Sequence, residues 1–523
     1  MERTRMDERT ANALSLLPNY LAQHVLLSLV ALGLGILIGL PLAVVATRHR
    51  GLRVAALAAA SLVQTIPGLA LLALFYPLLL GLSALTQSSV GIGLPALGFL
   101  PSVLALTLYA VLPVLRNAIA GLAGLDPAVI EAANAVGMTP AQRLMQVEAP
   151  LAAPVAMAGI RTAAVWTIGA ATLSTSVGQT SLGNYIFSGL QTENWIFVLF
   201  GCVVAALLAL AVDQLLGLIE TGVARRDRLR VHIGLAGIVI GAGAALTPLV
   251  ISAPSSYLVG AKNFSEQFIL AELISEQLVH EGATAERRQG LGSAIAFRAL
   301  ASGDIDVYVD YSGTLWTNVM ERRDSPEREA MLEELTRWMA GRYKVRVLGA
   351  LGFENAYALA MKRERAAELS VHSIEDLARH APRLSFGTDL EFLSRPEWSA
   401  LKEAYALNFA TQRSYSPTFM YRALETGDVD VISAFSSDGR IAAYGLELLA
   451  DPKRAIPAYD AVLLVSPRRA NDPLMLRALE PLVGRITPQR MQEANFMVDR
   501  DTDKVSPQEA ARLLARAIGM PGH

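Results

Sequence analysis

The chain has 523 residues, too many for one ordinary domain, and its 53% hydrophobic and 18% charged residues are typical of a protein that is partly in a membrane and partly soluble. A net charge of −2 gives no indication of nucleic-acid binding. The single cysteine, Cys202, excludes a disulfide framework and a thiolate metal site.

Long apolar runs fill the chain as far as about Ser252, and the sequence after Tyr257 has the composition of a globular domain. The first 20 residues lack an apolar core behind a charged start, so no cleavable signal peptide is expected. A membrane-spanning helix needs about 20 apolar residues. This length predicts six spans, at about 24–46, 54–80, 96–115, 156–178, 194–218 and 231–252.

Basic residues between the spans predict their direction, because cytoplasmic loops are rich in lysine and arginine. The loops 81–95 and 179–193 contain neither residue. If spans alternate, the N-terminus and everything after the sixth span lie outside, and the basic clusters lie in the cytoplasm. These clusters are Arg48, His49, Arg50 and Arg53, then Arg116 and Arg143, then Arg225, Arg226, Arg228 and Arg230.

A polar, alanine-rich stretch, EAANAVGMTPAQRLMQVEAPLAAP, lies between the third and fourth spans at 131–154. Asp126–Pro127 before it is a helix-start signal, and Gly137 is expected to end that helix. Thr139–Pro140 predicts a second helix, which Pro150 and Pro154 are expected to stop. The sequence therefore predicts a cytoplasmic helix–turn–helix, although an ordinary amphipathic connector is an alternative.

The predicted spans contain few groups that could use an ion gradient. Arg161 and Asp213 are the charged residues within the first five, both near cytoplasmic ends, so no proton relay is expected. Proline and glycine interrupt the second span in QTIPGLALL at Gln64–Leu72, and Gly178–Gly189 is predicted to lie at the outer interface. The lack of an ion-coupling site favours an ATPase partner as the energy source, and the chain itself has no G-x-x-x-x-G-K-[ST] sequence for binding ATP.

Residues 255–523 alternate β-rich runs with amphipathic helical stretches, which predicts an α/β fold. An internal sequence repeat relates ALASGDIDVYVDYSG at Ala299–Gly313 to ALETGDVDVISAFSSDG at Ala423–Gly439. When the two repeats are aligned, Tyr311 corresponds to Phe435. The repeat predicts two similar lobes whose strand ends face each other, with a ligand between these ends. The aspartates at 304, 306, 428 and 430 match no metal loop and are interpreted as turn residues.

The helix–turn–helix resembles the EAA loop of ABC-importer permeases, whose first helix docks into the ATP-hydrolysing subunit. Residues 257–523 resemble the glycine betaine/choline-binding proteins in VGAKNFSEQ, DVYVDYSGTLW, FENAYALAM, FLSRPEW and PAYDAVLLV. The resemblance implies an α-helical type I permease-like membrane domain at 1–225, a sixth span and tether at 226–254, and a two-lobed type II periplasmic-binding-protein domain at 255–523. The lobes would be 255–361 with 463–523, and 362–462, with crossings near Met361 and Leu463.

The same resemblance implies a site for a quaternary ammonium solute such as glycine betaine or choline. Its aromatic cage would be Tyr311, Tyr357, Phe435 and Tyr459, with Phe435 standing where many members have a fourth tyrosine. Lys262, Thr314 and Arg395 would hold a carboxylate, and Asn355 would offer its backbone carbonyl to the methyl groups. Coupling to the ATPase is expected through Glu131, Ala132, Ala133 and Gly137.

The expected protein is thus a homodimeric importer subunit in the bacterial inner membrane with an extracytoplasmic binding domain, an ATP-binding partner and no cofactor or metal of its own. A membrane-anchored solute sensor is an alternative, but the longest predicted cytoplasmic piece, about 116–155, is too short for an output domain. A membrane-anchored enzyme is a third reading, which the lack of a nucleophile–base pair disfavours.

Overall fold

The computed structural model describes residues 2–90, 94–192, 194–251, 257–322, 324–500 and 503–521. The chain divides into two compact units. The first contains the helices before Ser188 and those of 196–251, and the second contains 188–195 and the described residues from Tyr257 onward.

The first unit is helical. A π-turn at Leu144–Glu148 and a 3₁₀ turn at Thr172–Val177 interrupt its helices. The helices in the chain before Tyr257 are Glu2–Arg48 (α1), Arg50–Thr65 (α2), Gly68–Val90 (α3), Phe99–Ala123 (α4), Pro127–Ala135 (α5), Pro140–Arg143 (α6), Ala149–Ala171 (α7), Gly183–Gln191 (α8), Trp195–Arg225 (α9) and Arg228–Ile251 (α10).

Five stretches of these helices are long and apolar enough to cross a membrane: Ala13–Arg48, Phe99–Ala123, Pro140–Val177, Trp195–Arg225 and Arg228–Leu249. The predicted second span is instead a bent pair, α2 and α3, with an angle of 103° at the break. The break follows Thr65, inside the proline–glycine stretch that was expected to interrupt it. The described residues therefore contain five spans, or six if the bent pair counts as one.

The second helix of the loop does not stop at Pro150 or Pro154, as the sequence predicted. It passes through the π-turn at Leu144–Glu148 into α7, where Pro150 lies in the first turn and Pro154 in the interior. A proline removes one backbone hydrogen bond and bends a helix, but it need not end one whose carbonyls are rearranged by a π-turn. The loop is thus continuous with a membrane-spanning helix.

The membrane helices pack through small residues and expose large apolar ones. A Cβ added at Gly35 of α1 would lie 2.6 Å from the Cβ of Ala110 in α4, so the two helices touch backbone to backbone there. By contrast, Leu37 is 68% exposed and Ile240 is 70% exposed. Such surfaces are stable when lipid covers them. Arg161 of α7 is neutralised by Asp213 of α9, with Nε–Oδ1 2.5 Å and Nη2–Oδ2 2.7 Å.

The bent pair makes the topology testable. If it crosses the membrane, the linker at His49 is cytoplasmic, and if it is re-entrant, that linker and its arginines lie outside. We expect a reporter that is active only in the cytoplasm to work when fused after His49 or Arg226 and to fail at the C-terminus, because arginines flank both linkers. Activity after Arg226 without activity after His49 would leave five spans and a cytoplasmic N-terminus.

The second unit alternates strands and helices, with single 3₁₀ or π turns at Leu315–Val319, Ala381–Arg383, Phe392–Ser394, Pro467–Arg469 and Glu480–Leu482. The strands are Tyr257–Lys262 (β1), Ala285–Leu291 (β2), Val307–Tyr311 (β3), Arg346–Glu354 (β4), Tyr357–Lys362 (β5), Ser385–Asp389 (β6), Thr411–Tyr415 (β7), Val431–Phe435 (β8), Leu446–Leu448 (β9) and Asp460–Val465 (β10). The helices are Ser265–His280 (α11), Ser293–Ser302 (α12), Ser312–Thr314 (α13), Arg328–Tyr343 (α14), Arg363–Leu369 (α15), Ile374–His380 (α16), Pro396–Tyr405 (α17), Pro417–Thr426 (α18), Arg440–Ala443 (α19), Pro473–Leu479 (α20), Pro488–Asp499 (α21) and Pro507–Ala517 (α22).

Two five-stranded sheets form two lobes. The first sheet has the order β2-β1-β3-β10-β4 and the second β7-β6-β8-β5-β9. In each, one strand runs antiparallel beside parallel strands: β10 beside β3, and β5 beside β8. The central strands β3 and β10 are buried throughout and read as nearly continuous apolar runs, as strands covered on both faces do.

The chain crosses between the lobes earlier than predicted. It leaves β4 at Glu354 and enters β5 at Tyr357, and it returns between Leu448 and Asp460. The expected crossings near Met361 and Leu463 are wrong, because Met361 pairs with Val431 inside the second sheet and Leu463 pairs with Val309 inside the first. A buried strand interior cannot be a crossing, since its backbone groups need ladder partners on both sides.

The internal sequence repeat is also a structural repeat. A helix ends at a left-handed glycine in each copy, Gly303 with φ +82° and Gly427 with φ +83°, and a central strand follows. Asp306 and Asp430 do more than turn the chain: their carboxylates accept the backbone N–H of Leu258 and of Ser385, at 2.9 and 2.8 Å. Each aspartate thus fixes the start of the neighbouring strand, and the two repeats end at Tyr311 and Phe435.

Candidate functional site

The loop at 126–154 is a capped helix–turn–helix, as the sequence predicted. The Asp126 carboxylate accepts the Ala128 N–H at 2.9 Å, and Thr139 forms a capping box with Gln142. At the turn, Gly137 has φ +78°, and the Met138 N–H donates to the Ala133 carbonyl at 3.2 Å. Only a glycine adopts this conformation without strain, so Gly137 defines the end of α5.

The loop presents a mixed polar and apolar surface. Glu131, Ala132 and Gly137 are exposed, whereas Ala133 is buried. Val136 and Met145 are 74% and 75% exposed, which is unusual for large apolar side chains and typical of a docking surface. The Arg143 guanidinium holds the two helices together, with Nη1–Oδ1 of Asn134 2.7 Å and Nε–Oε1 of Glu148 2.6 Å.

In the second unit, a cavity of about 130 Å³ lies where the strands of the two sheets end. All eight residues that the sequence predicted for the solute line it: Lys262, Tyr311, Thr314, Asn355, Tyr357, Arg395, Phe435 and Tyr459. Lys262, Tyr311 and Phe435 are the last residues of β1, β3 and β8. Tyr357 lies opposite Phe435 in the ladder between β5 and β8, so strand register itself brings these two rings together.

The aromatic rings form one connected wall. The Tyr357 ring centroid lies 4.9 Å from that of Phe435 and 6.1 Å from that of Tyr459, the latter edge to face. Phe264, which the sequence analysis did not single out, is nearly parallel to Phe435 with centroids 6.1 Å apart and stacks toward Tyr311 at 6.2 Å. A positive group in this cavity would face several negative π-surfaces at once.

Arg395 provides the donors on one side of the cavity. It is 7% exposed, and its guanidinium carbon lies 5.2 Å from the centroid of the Tyr357 ring. One nitrogen, Nη2, is 3.3 Å from Oε2 of Glu391, while Nη1 is 3.7 Å from Oε1 of Glu397. In the described part of the chain, Nε and Nη1 have no hydrogen-bond acceptor. A buried guanidinium with two nitrogens whose N–H groups have no acceptor is suited to an incoming carboxylate.

Lys262 is less available for contact with a ligand than the sequence suggested. It is buried, its ammonium forms an ion pair with Asp310, and it lies 5.1 Å from the Tyr311 ring centroid. Asn355 is held by its side-chain amide, which donates to Oε1 of Glu266 at 3.1 Å, and by its backbone N–H, which donates to the Tyr459 carbonyl at 3.0 Å. Thr314 is buried in the wall at the C-terminal end of α13.

Two cage hydroxyls are bonded to buried glutamates that the sequence analysis missed. The Tyr311 hydroxyl donates to Oε1 of Glu266 at 2.5 Å, and the Tyr459 hydroxyl donates to Oε1 of Glu397. Burial and then the neighbouring carboxylate raise the pKa of both tyrosines well above the usual value, so both are neutral donors. Each glutamate lies in the first turn of a helix, α11 or α17, where a negative charge is favoured.

Other residues that the sequence analysis missed follow strand ends. Asn263 and Phe264 come directly after β1. Asp389 is the last residue of β6, and Leu390 is the first residue after it. The rule that ligands lie at the carboxyl ends of parallel strands would have identified them. Ser293 and Glu391 complete the lining. Burial raises the pKa of Asp389, against hydrogen bonds from the backbone of the following turn.

Comparison with known families matches both units. Residues 35–225 match the binding-protein-dependent transport system inner membrane component, and residues 256–514 match the substrate-binding domain of the ABC-type glycine betaine transport system.

Individual relatives match either the whole chain or one part. The ergothioneine transport permease/ergothioneine-binding protein EgtU of Helicobacter pylori is 28% identical over 87% of this chain and 82% of the relative. The choline transport system permease protein OpuBB of Bacillus subtilis is 39% identical over 38% of this chain and 84% of the relative. The crystal structure of a glycine betaine/carnitine/choline ABC transporter is 26% identical, with a TM-score of 0.44, over 50% of this chain and 98% of that chain.

Proposed function

Because the chain belongs to the family of ABC-importer permeases of the osmoprotectant type, here fused to a glycine betaine-type binding domain, we propose that it imports a small solute with a quaternary ammonium group. The chain is a transporter subunit of the inner membrane with an extracytoplasmic binding domain, and ATP hydrolysis belongs to a separate subunit. A sensor without transport is not favoured, because the permease unit matches an import component over 35–225.

The observation that carries the ligand proposal is one cavity with an aromatic wall and a buried arginine. A quaternary ammonium has no N–H to donate, so rings rather than acceptors recognise it, each ring contributing roughly 0.5–2 kcal/mol. Tyr311, Tyr357, Phe435 and Tyr459 supply these faces. Arg395 would bind a carboxylate at the other end of the solute through Nε and Nη1. A betaine, with both groups in one small molecule, satisfies both ends.

We propose that Lys262 contributes to the electrostatic potential of the cavity and does not contact the solute carboxylate directly, since its ammonium is already paired with Asp310. In this proposal Thr314 would supply a hydroxyl to the carboxylate, and the Asn355 backbone carbonyl would face the methyl groups, since both residues line the cavity. These assignments rest on the common cavity that the residues line.

Ergothioneine is a second candidate solute. It contains the same trimethylammonium and carboxylate groups and adds a thioimidazole ring with N–H donors. Asp389 and Glu391 favour it, because these carboxylates line the same cavity as the aromatic rings and can accept such N–H groups. Calorimetric titration of the purified chain with glycine betaine, choline and ergothioneine tests both candidates. Failure of all three to bind would overturn the proposed solute class.

Replacing Tyr357 by alanine is expected to weaken every quaternary ammonium ligand together, by roughly 0.5–2 kcal/mol or more, since one π-face is lost. Tyr357 contacts Phe435, Tyr459 and Arg395, so its ring is central to the wall. Tyr343→Ala is the control, because that ring packs on Phe297 and Trp338 outside the cavity lining. Unchanged affinities in Tyr357→Ala would remove this tyrosine from the cage.

We propose that two copies of the chain assemble with the ATPase, each presenting its loop at 126–154. The exposed Val136 and Met145 supply apolar area for docking on the ATPase, and the exposed Glu131 supplies a negative charge that a basic group of the ATPase would pair with. ATP binds to the partner, and no cofactor is assigned to this chain. The mass of the assembly purified with its ATPase, with two copies of this chain or with one, tests the arrangement.

A further inference from the structure

Glu266 is a buried carboxylate behind the cage with an unusual set of partners. It is 3% exposed in the first turn of α11. Its Oε1 accepts the Tyr311 hydroxyl at 2.5 Å and the Asn355 amide at 3.1 Å. Its Oε2 accepts the Ser437 hydroxyl at 2.5 Å and the Asn495 amide at 2.9 Å. All four partners are neutral donors.

The geometry of these partners favours the ionised form of Glu266. A carboxylate accepts hydrogen bonds at both oxygens, whereas a protonated carboxyl must donate from one of them, and here both oxygens face an amide N–H₂. Burial raises the pKa of Glu266 above its usual value, and the hydrogen bonds from Ser437, Tyr311, Asn495 and Asn355 offset only part of that rise. The N-terminus of α11 adds positive potential at the same place.

In the described ranges, Glu266 forms no ion pair, unlike several of the buried acids of this unit. Asp310 is paired with Lys262, and Asp438 is paired with Arg440 at 2.7 Å. Glu397, the other glutamate of the cage, has Arg395 beside it. A buried charge without a counter-ion is costly. Lys262 does not supply one, because its own charge is balanced by Asp310.

Tyr311 connects this charge to the cavity. Its ring lines the cavity while its hydroxyl is bonded to Glu266. A phenol that donates to a carboxylate becomes more electron-rich, which makes its π-face more negative. A positive group against that face is therefore attracted by the ring and by the full charge behind it.

We propose that Glu266 is a specificity-determining positioning residue: its negative charge, acting through Tyr311, is the counter-charge of the solute's quaternary ammonium. This rests on the proposed function of the cavity. Glu266 also joins the lobes, because Ser437 follows β8 of the second lobe while Tyr311 ends β3 of the first. The carboxylate that attracts the cation thus also holds the two halves of the cage in place.

The test compares two ligands of the same shape. Glycine betaine and the tert-butylacetate ion differ only in the atom that carries the methyl groups, a positive nitrogen or a neutral carbon. In the purified full chain, Glu266→Gln keeps the volume and removes the charge. Its affinity for glycine betaine is expected to fall about tenfold, while affinity for tert-butylacetate does not fall. Equal losses for both ligands would assign Glu266 a purely structural role and overturn the proposal.

Two further variants separate the proposed effect of the Glu266 charge from a general effect on folding. Tyr311→Phe removes the link between ring and carboxylate and should lower the ratio of the two affinities in the same direction, so it decides the question if Glu266→Gln does not fold. Glu272→Gln is the matched control: Glu272 is buried on the same helix but is paired with Arg287 at 2.9 Å, and the ratio should not change. If Tyr357→Ala weakens betaine but neither Glu266→Gln nor Tyr311→Phe changes the ratio, the cage stands and this inference alone fails.

Discussion

Solute-stimulated ATP hydrolysis is expected to be abolished when Gly137 is replaced by leucine or Glu131 by lysine, while solute binding persists. A Cβ at Gly137 would meet no atom within 4 Å, so the new side chain would project from the exposed face of the loop. The left-handed conformation would also cost about 1–2 kcal/mol for a residue with a side chain. Glu131→Lys reverses a charge on the same exposed helix. The measurement is ATPase activity of the reconstituted complex with and without solute.

The control for backbone strain is Gly282→Leu. Gly282 also has a left-handed conformation, with φ +86°, and open space around its Cβ position, but it lies in the second unit. It should leave ATP hydrolysis unchanged. Co-purification with the ATPase should fail for Gly137→Leu and succeed for Gly282→Leu. If the double variant of Gly137 and Glu131 transports normally, the loop is an ordinary connector and the coupling assignment is wrong.

Removing Arg395 is expected to separate betaines from choline. A charge-assisted hydrogen bond is worth about 1.5–3 kcal/mol, so Arg395→Ala should weaken glycine betaine by roughly tenfold or more. Choline lacks the carboxylate and should bind no more weakly than before, because the change also frees Glu391 and Glu397 from their cation. Calorimetric titration of the full chain with both ligands measures the difference.

The conservative variant gives the matched comparison. Arg395→Lys retains the charge but loses the planar fork, so its betaine affinity should lie between wild type and Arg395→Ala. Choline serves as an internal control for correct folding of each variant. Equal losses of betaine and choline in Arg395→Ala would remove the carboxylate assignment, since only one ligand has that group.

Much of the architecture was predictable because it depends on local composition. Long apolar runs separate the membrane unit from the globular one, and the caps at Asp126 and Thr139 depend on side chains within three residues of the helix start. The break after Thr65 follows from a proline and a glycine in the sequence itself. Pro150 does not end the helix, against the sequence prediction, because a π-turn, which depends on backbone rearrangement, carries the helix past it.

The sequence by itself determined the two units, the capped loop and the strand ends that carry Tyr311 and Phe435, because apolar periodicity, turn residues and an internal repeat are all visible along the chain. Only the tertiary structure decided which charged and polar groups meet. Lys262 with Asp310, Tyr459 with Glu397, and Glu266 with Tyr311 are pairs separated by tens of residues. Their contacts depend on sheet order and on the placement of helix starts. Burial sets the strength of each electrostatic interaction, and it exists only after the chain has folded.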